Sequence, residues 1–315
     1  MNAEKPEVLL MGPMYPPTLE SLESAFTVHH VSKAPDRDAL LASLADRITA
    51  AATTAFRGMD GATMAKLPKL AIVSHFGVGV DSVDVEAATQ RGIKVTNTPD
   101  VLTDDVADLT VALLLATVRR IPQGDRYVRE GQWAQKAFAL TDTIQKKTLG
   151  IIGLGRIGRA IARRAEAFNL KVAYQGPRPK ADVSWPYFAD ALALAREVDF
   201  LVAACPGGEA TRGIVSRAVL QALGPHGVFV NISRGSCVDE RAMIELLQQG
   251  KLGGAGLDVY NNEPRIDPAL FALDNVVLQP HVASATHVTR RAMGQLVVDN
   301  LAAHFAGKPL LTPYN

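Results

Sequence analysis

A run of glycines limits the folds open to this chain more than any other sequence feature. The spacing G-x-G-x-x-G is formed by Gly153, Gly155 and Gly158, which follow the apolar run Leu149–Ile152. Beyond them, apolar residues recur at helical spacing, at Ile157, Ile161, Ala165 and Phe168. Glycines let a backbone approach a pyrophosphate closely, and the first N–H groups of a helix bind the anion. A strand, a tight turn and a helix in this order therefore predict a dinucleotide-binding site.

The composition is that of a globular protein with room for two domains. Of the 315 residues, 48% are hydrophobic and 21% are charged, so the chain can bury two sizeable cores. The formal net charge of +1 gives no support for nucleic acid or an anionic membrane as a partner. The longest apolar runs, such as Val111–Val118, are too short to cross a bilayer. We therefore expect neither nucleic acid nor a membrane among the partners.

The two cysteines indicate neither a metal site nor a disulfide framework. Cys205 and Cys237 lack metal-ligand spacing, and two cysteines in a chain of this length do not make a disulfide scaffold. The segment Met1–Pro6 lacks the charged-then-apolar pattern of a secretory signal. The expected location is therefore the reducing cytoplasm, and no metal is expected.

Strands and helices alternate at short spacing in two series along the chain. The first series ends at Pro99–Asp100. A long apolar helix over Asp104–Arg120 and a polar, irregular stretch over Gln123–Lys147 are expected next. The glycine turn then opens the second series. Alternation of this kind predicts an α/β fold in which each series forms a parallel sheet covered by helices.

The residues after the second strand of the later series bear on the choice of nicotinamide cofactor. In a dinucleotide fold this strand usually ends in Asp or Glu, which bonds the ribose 2′-OH about 20 residues beyond the glycines. Here the strand Val172–Tyr174 is followed by Gln175, with Arg178 and Lys180 close behind. Such cations attract a 2′-phosphate, which a carboxylate would repel. The pattern favours NADP over NAD, although a solvated basic loop would have the same sequence.

Three side chains suited to acid–base chemistry and anion binding follow successive strands of the later series. Arg234 follows one strand, Glu263 the next and His281 the one after that, which places all three at the edge where the glycine turn lies. An Arg there suits a carboxylate, through a two-pronged hydrogen bond. A carboxylate beside a His favours the charged imidazole and holds one tautomer, which makes a proton donor for a carbonyl that receives hydride. Taken singly, each residue has a structural explanation, such as a surface salt bridge.

As a set, these motifs resemble the D-specific 2-hydroxyacid dehydrogenase family, especially its glyoxylate/hydroxypyruvate reductase branch. They occur in the family's order across nearly the whole chain. The segments are Phe76–Asp81, Thr98–Pro99, Gly153–Gly158, Asn231–Gly235, Gly254–Val259, Glu263–Pro264 and Pro280–His281. One departure is Ala283, two residues after His281, where the family usually has Gly.

The resemblance implies a role for each catalytic position. His281 would give a proton to the substrate carbonyl oxygen, and Glu263 would support the charged imidazole. Arg234 would hold the substrate carboxylate and polarise the carbonyl. Backbone N–H groups of Val78 and Gly79 would bind the other side of the carboxylate.

The resemblance also implies the contacts of the cofactor. Asp258 would bond the nicotinamide amide, and Ile232 would pack near the nicotinamide. Cys205 and Pro206 would border the adenosine, which leaves Cys205 structural and not nucleophilic. Together with the basic loop, the expected cofactor-binding residues are Gly153, Leu154, Gly155, Arg156, Ile157, Gly158, Arg178, Lys180, Cys205, Pro206, Ile232 and Asp258.

The family's architecture implies two Rossmann-like or flavodoxin-like parallel-sheet domains, with substrate bound in a cleft between them. In the family the final helix returns to the first domain. We therefore expect a discontinuous substrate (catalytic) domain over residues 1–99 and 287–315, and a dinucleotide-binding Rossmann domain over residues 100–286. Family members are usually homodimers, with much of the contact supplied by Asp100–Thr143.

The expected activity is NADPH-preferring reduction of a small 2-oxo acid, glyoxylate or hydroxypyruvate, to its 2-hydroxy acid. Oxidation of phosphoglycerate or another D-2-hydroxy acid with NAD is an alternative. Formate oxidation is disfavoured, because those relatives have Gln where this chain has Glu263. From another class, a cofactor-sensing binding protein like the corepressor group of this architecture is also an alternative. Whether His75 or Arg57 touches substrate stays open.

Overall fold

The computed structural model describes residues 5–315 and divides the chain into two compact units. The first unit comprises Met1–Leu102 and Ala285–Asn315, and the second comprises Thr103–Ser284. The strands are β1 (Glu7–Leu10), β2 (Thr27–His30), β3 (Ala50–Thr54), β4 (Ile72–Phe76), β5 (Lys94–Thr96), β6 (Thr148–Ile152), β7 (Lys171–Gln175), β8 (Tyr187–Phe188), β9 (Phe200–Ala203), β10 (Val228–Asn231), β11 (Gly254–Leu257) and β12 (Val276–Leu278). The α-helices are α1 (Pro16–Ala25), α2 (Arg37–Leu44), α3 (Gly61–Ala65), α4 (Val85–Gln90), α5 (Thr103–Val118), α6 (Ile121–Arg129), α7 (Arg156–Ala167), α8 (Ala191–Arg196), α9 (Arg217–Leu223), α10 (Glu240–Gln248) and α11 (His287–Phe305).

The first unit is built on a parallel sheet in the order β2-β1-β3-β4-β5. Strands β3 and β4 are buried at every position, as expected when helices cover both faces of a parallel sheet. Helix α11 packs against β4 and α1. The last residues lie beside β5, where the Thr312 hydroxyl donates to the Asn97 carbonyl (2.6 Å) and the Val95 N–H donates to the Asn315 side chain (2.8 Å). The early and late segments of the chain therefore form one folded unit.

The second unit is built on a parallel sheet in the order β12-β11-β10-β9-β6-β7-β8. Strand β6, which enters the glycine turn, pairs with β7 on one side and β9 on the other. The strand order reverses at this point, and ligands of open α/β sheets bind outside the carboxyl ends of the strands at such a reversal. The predicted α/β class with two parallel sheets is confirmed, and the glycine turn lies at the reversal of the larger sheet.

Two local predictions from the sequence are wrong. The stretch Gln123–Lys147 is not irregular throughout, because it contains most of helix α6, which has Pro122 in its first turn. None of the residues of α6 is buried, and its two apolar side chains, Ile121 and Val128, are a full two turns apart, which is too sparse a repeat to indicate a helix in the sequence. Phe168 does not extend the buried face of α7, because that helix ends at Ala167 and the Phe168 side chain is 41% exposed.

The hydropathy of the helices shows whether any of them could cross a membrane. Among residues 5–315, no helix combines the length and the apolar character needed to cross a membrane. The longest one, α11, alternates apolar residues with polar and charged ones along its whole length.

Candidate active site

The glycine turn after β6 is shaped by close packing on one side and open space on the other. Gly153 has a φ of +95°, and a Cβ there would lie 2.7 Å from the backbone N and Cα of Cys205. A side chain at Gly153 would therefore push the turn away from the loop after β9. A Cβ at Gly155, in contrast, would meet no atom of the described chain within 4 Å. The backbone of Gly155 thus faces an open groove, which is the shape that a bound pyrophosphate needs.

Helix α7 presents its N-terminus to this groove. Gly155 is the N-cap residue, and having no side chain it cannot cap the first N–H groups of the helix. Those N–H groups, together with the positive end of the helix dipole, suit an anion. Leu154 is buried, Ile157 is half-buried and Arg156 is exposed beside them. The turn and the helix start therefore fit a dinucleotide, as the spacing predicts.

The loop after β7 is held by tyrosine hydroxyls and leaves one cation exposed. The Lys180 N–H donates to the Tyr174 hydroxyl (2.7 Å), and the Tyr187 hydroxyl donates to the Gly176 carbonyl (3.1 Å). Arg178 is exposed at the tip between these two anchors. No carboxylate occupies the end of β7, because the strand closes with Gln175, whose amide donates to the Ala189 carbonyl (3.3 Å).

An acidic residue further along this loop is already engaged. Asp182 forms an ion pair with Arg159 on α7, with Arg159 Nη1 and Asp182 Oδ2 2.8 Å apart. The hydrogen bond from Arg159 is the main reason why the pKa of Asp182 lies below its ordinary value. Asp182 is thus bound to the helix rather than standing where an acid would contact the adenosine ribose.

His281 and Glu263 form a direct pair at the edge of the larger sheet. His281 Nδ1 and Glu263 Oε2 are 2.6 Å apart, and both side chains are mostly buried. The second carboxylate oxygen accepts a hydrogen bond from the Tyr260 N–H (2.8 Å). Burial by itself acts to raise the pKa of Glu263. The hydrogen bond and charge of His281, the Tyr260 N–H and the charge of Arg234 outweigh it, so the pKa lies below its ordinary value. Glu263 therefore stays ionised beside the imidazole.

Tyr260 contacts all three loops that carry the candidate catalytic residues. Its hydroxyl lies 2.9 Å from the Gln279 carbonyl, in the loop that leads to His281, and 3.1 Å from the Leu257 carbonyl. Its backbone N–H holds Glu263, and a Cβ at Gly235 would lie 2.0 Å from its carbonyl carbon. Only glycine at position 235 allows so close an approach. Sequence reasoning missed Tyr260; the signal was a hydroxyl-bearing aromatic three residues after the apolar strand β11.

Arg234 is placed by the side chain at the end of its own strand. The Asn231 amide donates to the Arg234 carbonyl (3.0 Å), and its oxygen accepts from the Ser233 N–H (3.1 Å). The guanidinium in turn donates to the Ser233 carbonyl (2.8 Å) and is half-buried. Its positive charge contributes to the lowered pKa of Glu263, so the two groups lie within electrostatic reach of each other.

Asp258 supports the loop that carries His281. It is 1% exposed, and its two oxygens accept from the N–H groups of Val282 (2.7 Å) and Ala283 (3.0 Å). Burial raises the pKa of Asp258 above its ordinary value, and these two N–H groups oppose the shift. The role toward the nicotinamide amide that the family resemblance implies stays a prediction.

The remaining cofactor candidates lie at the same edge of the larger sheet. Ile232 directly follows β10 and is 8% exposed, while Cys205 follows β9 and is 7% exposed. Pro206, next to Cys205, is exposed. The carboxyl ends of neighbouring parallel strands thus bring these residues to the side of the sheet where the glycine turn lies.

The predicted carboxylate loop lies in the first unit, directly after β4. Asn97 donates its amide to the Val78 carbonyl (2.8 Å), and the Thr98 N–H donates to the Gly77 carbonyl (2.9 Å). Within residues 5–315, the N–H groups of Val78 and Gly79 have no hydrogen-bond acceptor. The loop is therefore held by its carbonyls, and the anion-binding role that the family resemblance implies for its N–H groups stays a prediction.

His75 and Arg57 take different positions near this loop. His75 is fully buried, with Nδ1 3.4 Å from the Gly77 carbonyl oxygen and Nε2 3.4 Å from the Ser82 hydroxyl. Arg57 follows β3 and is exposed, and its stem covers Gly12, where a Cβ would lie 2.3 Å from Arg57 Cγ. His75 thus contacts the loop from its buried side, whereas the charged group of Arg57 lies at the protein surface.

Comparison with known proteins gives a consistent result along the chain. Residues 111–283 match the profile of the D-isomer specific 2-hydroxyacid dehydrogenase, NAD binding domain. Over 306 residues, covering 97% of this chain and 98% of the relative, it is 49% identical to glyoxylate/hydroxypyruvate reductase A HPR2 of Arabidopsis thaliana. The chain belongs to the D-isomer specific 2-hydroxyacid dehydrogenase family. The resemblance read from the motifs is thereby confirmed, and the protein is an NAD(P)-dependent oxidoreductase of this family.

Two further similar proteins are named for reductase activities on 2-oxo acids. Hydroxyphenylpyruvate reductase of Plectranthus scutellarioides is 48% identical over 306 residues, 97% of this chain and 98% of the relative. A crystal structure of an NADPH-dependent glyoxylate/hydroxypyruvate reductase from Sinorhizobium meliloti, in complex with NADP and malonate, superimposes with a TM-score of 0.92. That match has 42% sequence identity and covers 98% of this chain and 97% of the other.

Proposed function

We propose that this protein reduces small 2-oxo acids, glyoxylate and hydroxypyruvate, to their 2-hydroxy acids with NADPH as the preferred cofactor. The observation that carries the proposal is the 2.6 Å contact between His281 and Glu263, at the sheet edge that also holds Arg234 and the glycine turn. A proton donor, an anion-binding cation and a dinucleotide groove are what reduction of a 2-oxo acid requires. The similarity to glyoxylate/hydroxypyruvate reductases supports the same reaction.

His281, Glu263 and Arg234 each have a separate role in the proposed reaction. Bound NADPH supplies the hydride to the carbonyl carbon. His281 keeps one proton on Nδ1, directed at Glu263, and delivers the proton on Nε2 to the carbonyl oxygen as negative charge develops there. Glu263 stabilises the charged imidazole before the transfer. Arg234 binds the substrate carboxylate and polarises the carbonyl, which lowers the barrier to hydride attack.

Substrate carboxylate binding also involves the first unit in this proposal. The N–H groups of Val78 and Gly79 suit one face of the carboxylate, since Asn97 and Thr98 hold the carbonyls of that loop. We accordingly assign substrate binding to residues 1–99 and 287–315, and dinucleotide binding to residues 100–286. This division agrees with the carboxylate loop in the first segment and the glycine turn in the second.

The preference for NADPH rests on the loop after β7. Arg178 is exposed at its tip, Lys180 lies close by, and Gln175 stands where an acid would contact a ribose 2′-OH. Replacing Arg178 by Gln is expected to raise the KM for NADPH about tenfold, because one charge-assisted bond to the 2′-phosphate is lost. The KM for NADH should change little. An equal rise with both cofactors would place Arg178 outside the 2′-phosphate site.

The central experiment is a panel of 2-oxo acids assayed with NADH and with NADPH. Highest kcat/KM for glyoxylate or hydroxypyruvate with NADPH supports the proposal. Highest kcat/KM for hydroxyphenylpyruvate would assign the substrate of the Plectranthus relative instead. Activity only with phosphoglycerate and NAD, or cofactor binding without turnover of any acid, would replace the proposal by one of the alternative functions.

We further propose that the protein is a cytoplasmic homodimer. The segment from α6 to residue 143 exposes Ile121, Val128, Trp133 and Leu140, at 55%, 56%, 68% and 99% of their surface. Such a set of exposed apolar side chains is typical of a protein–protein interface. The cytoplasmic location is supported by the two cysteines of the protein. Both are free thiols, as is usual in a reducing compartment. Sedimentation of the purified protein at the monomer mass would overturn the dimer.

A further inference from the structure

The two cysteines, which are 32 positions apart in sequence, lie side by side beneath the dinucleotide groove. Cys205 Sγ and Cys237 Sγ are 3.8 Å apart, and both residues are buried. Cys205 follows β9, while Cys237 closes the short turn Gly235–Cys237 after β10. Neither residue takes part in the proposed hydride and proton transfers.

Each cysteine is fixed to one part of the proposed active site. The backbone of Cys205 packs against Gly153, where a Cβ would lie 2.7 Å from the Cys205 N and Cα atoms. The Cys237 N–H donates to the Arg234 carbonyl (3.1 Å). A change in the distance between the two sulfurs therefore acts on the glycine turn at one end and on the substrate-binding arginine at the other.

The surroundings of the pair favour a thiolate on one of the two sulfurs. Cys237 Sγ lies 3.8 Å from Cys205 Sγ and 3.9 Å from both the Pro206 carbonyl oxygen and the Thr211 hydroxyl. The hydrogen bond from Cys205, helped by Ser233 and Thr211 against the effect of burial, lowers the pKa of Cys237 to about 6. The same contact, together with burial, raises the pKa of Cys205. Cys237 is thus the nucleophilic member of the pair, and Cys205 the thiol that would resolve it.

Only a short surface loop separates the pair from solvent. The loop runs from Pro206 to Thr211, and the Thr211 hydroxyl donates to the Pro206 carbonyl (2.6 Å) across its base. Pro206, Gly208 and Glu209 are exposed. Displacement of this loop, without opening of the sheet, gives a small oxidant access to Cys237.

We propose that Cys205 and Cys237 form a reversible disulfide under oxidation, and that this disulfide weakens dinucleotide binding. The sulfurs must approach each other by roughly 1.8 Å to reach bonding distance. That movement shifts Cys205 against Gly153 and the turn at Cys237 against Arg234, so the groove loses the shape that accepts the pyrophosphate. The inference relies on the dinucleotide site of the proposed function but not on the identity of the 2-oxo acid.

The oxidant is a peroxide in the simplest form of this reaction. The Cys237 thiolate attacks one oxygen of hydrogen peroxide, the O–O bond breaks, and the hydroxide that leaves takes up a proton to become water. Cys205 then loses its proton and attacks the sulfur of the Cys237 sulfenic acid. The S–S bond forms, the S–O bond breaks, and a second water leaves. The two sulfurs together lose two electrons, which reduce the peroxide to water.

The test compares the wild-type protein with its Cys237→Ser variant after treatment with hydrogen peroxide. Mass spectrometry of peptides, with free thiols alkylated beforehand, detects a Cys205–Cys237 crosslink, and titration of NADPH fluorescence measures cofactor affinity. We expect the crosslink and a rise in the Kd for NADPH of about tenfold or more in the wild type. Dithiothreitol should reverse both. The variant should keep its NADPH affinity and its basal activity under the same treatment.

Three results would overturn the inference. Both cysteines could remain open to alkylation after peroxide treatment, or the crosslink could form without a change in NADPH affinity. The Cys237→Ser variant could also lose affinity as the wild type does, which would place the damage elsewhere. A reduced wild type that binds no NADPH would instead contradict the proposed function, so the two failures are distinguishable.

Discussion

The carboxyl edges of the two sheets present different kinds of chemical groups. The larger sheet presents ionisable side chains, Arg234, Glu263 and His281, each positioned by hydrogen bonds to nearby residues. The smaller sheet presents backbone N–H groups at Val78 and Gly79. The first edge is suited to moving protons and stabilising charge, whereas the second is suited to recognising a carboxylate.

The two edges also differ in how their chemical groups are held in place. The side chains of the larger sheet depend on one another, since Tyr260 and Asp258 each hold a loop that positions His281. The groups of the smaller sheet edge are backbone N–H groups, and their loop is held by Asn97 and Thr98 through its carbonyls.

The largest effect is expected from removing the proton donor of the larger sheet. His281→Gln should lower kcat for 2-oxo acid reduction by about 10³-fold, because general acid catalysis at the carbonyl oxygen is lost. The Kd for NADPH, measured by fluorescence titration, should stay the same. His287→Gln, which changes an exposed imidazole on α11, is the matched control. A normal kcat in the His281→Gln enzyme would show that the reaction does not need the imidazole. The proposed contrast between a proton-transferring edge and a carboxylate-binding edge would then be wrong.

A smaller effect is expected from loosening the backbone loop of the smaller sheet. Asn97→Ala removes the 2.8 Å hydrogen bond to the Val78 carbonyl, so the N–H groups of the loop should lose their fixed direction. The KM for the 2-oxo acid should rise about fivefold, the value of one hydrogen bond, with little change in kcat. Steady-state kinetics at saturating NADPH provide the measurement. A fall in kcat at unchanged KM would mean that this loop serves the chemistry instead.

The charge of Glu263 should make stability depend on pH. Its pKa is lowered in the folded protein, so the ionised carboxylate stabilises the fold at pH values above its ordinary pKa. This contribution disappears as the pH falls through the lowered pKa. Urea unfolding of the wild type and of Glu263→Gln should therefore differ most at neutral pH and converge in acid. A constant difference across this range would mean that the side chain acts by packing and not by charge.

The smallest effect is expected from Tyr260→Phe. The substitution keeps the ring but removes the hydroxyl that lies near the Gln279 and Leu257 carbonyls. The free energy of unfolding should fall by about 1 kcal/mol, with kcat reduced less than about threefold. Tyr314→Phe, at an exposed tyrosine, is the control. A large loss of kcat without loss of stability would make the hydroxyl part of the proton-transfer path.

The sequence was sufficient to predict which candidate side chains lie at one edge of the larger sheet, and their roles stay predictions. The glycine turn, Arg234, Glu263 and His281 each lie just beyond a strand of apolar residues, and parallel strands bring such positions to one edge. The 2.6 Å pairing of His281 with Glu263 requires the exact path of two loops, which no local pattern specifies.

Supporting residues were harder to predict because their partners are distant in sequence or lie in the backbone. Asp258 holds the N–H groups of Val282 and Ala283, 24 and 25 positions away, and Tyr260 contacts a carbonyl 19 positions away. Backbone partners leave no trace in the identity of a side chain. Helix α6 was missed for a different reason, since only Ile121 and Val128 mark its apolar face and Pro122 and Gly124 lie between them.

The return of α11 to the first unit has a consequence for the order of events during synthesis. The second unit is continuous in sequence, so all of its strands leave the ribosome before α11 is made. The first unit lacks α11, the hydrogen bond that Thr312 donates and the one that Asn315 accepts until these residues have been synthesised. Domains fold as units when their residues become available. The nascent chain therefore completes its seven-stranded sheet first, and the unit built on the five-stranded sheet is completed later.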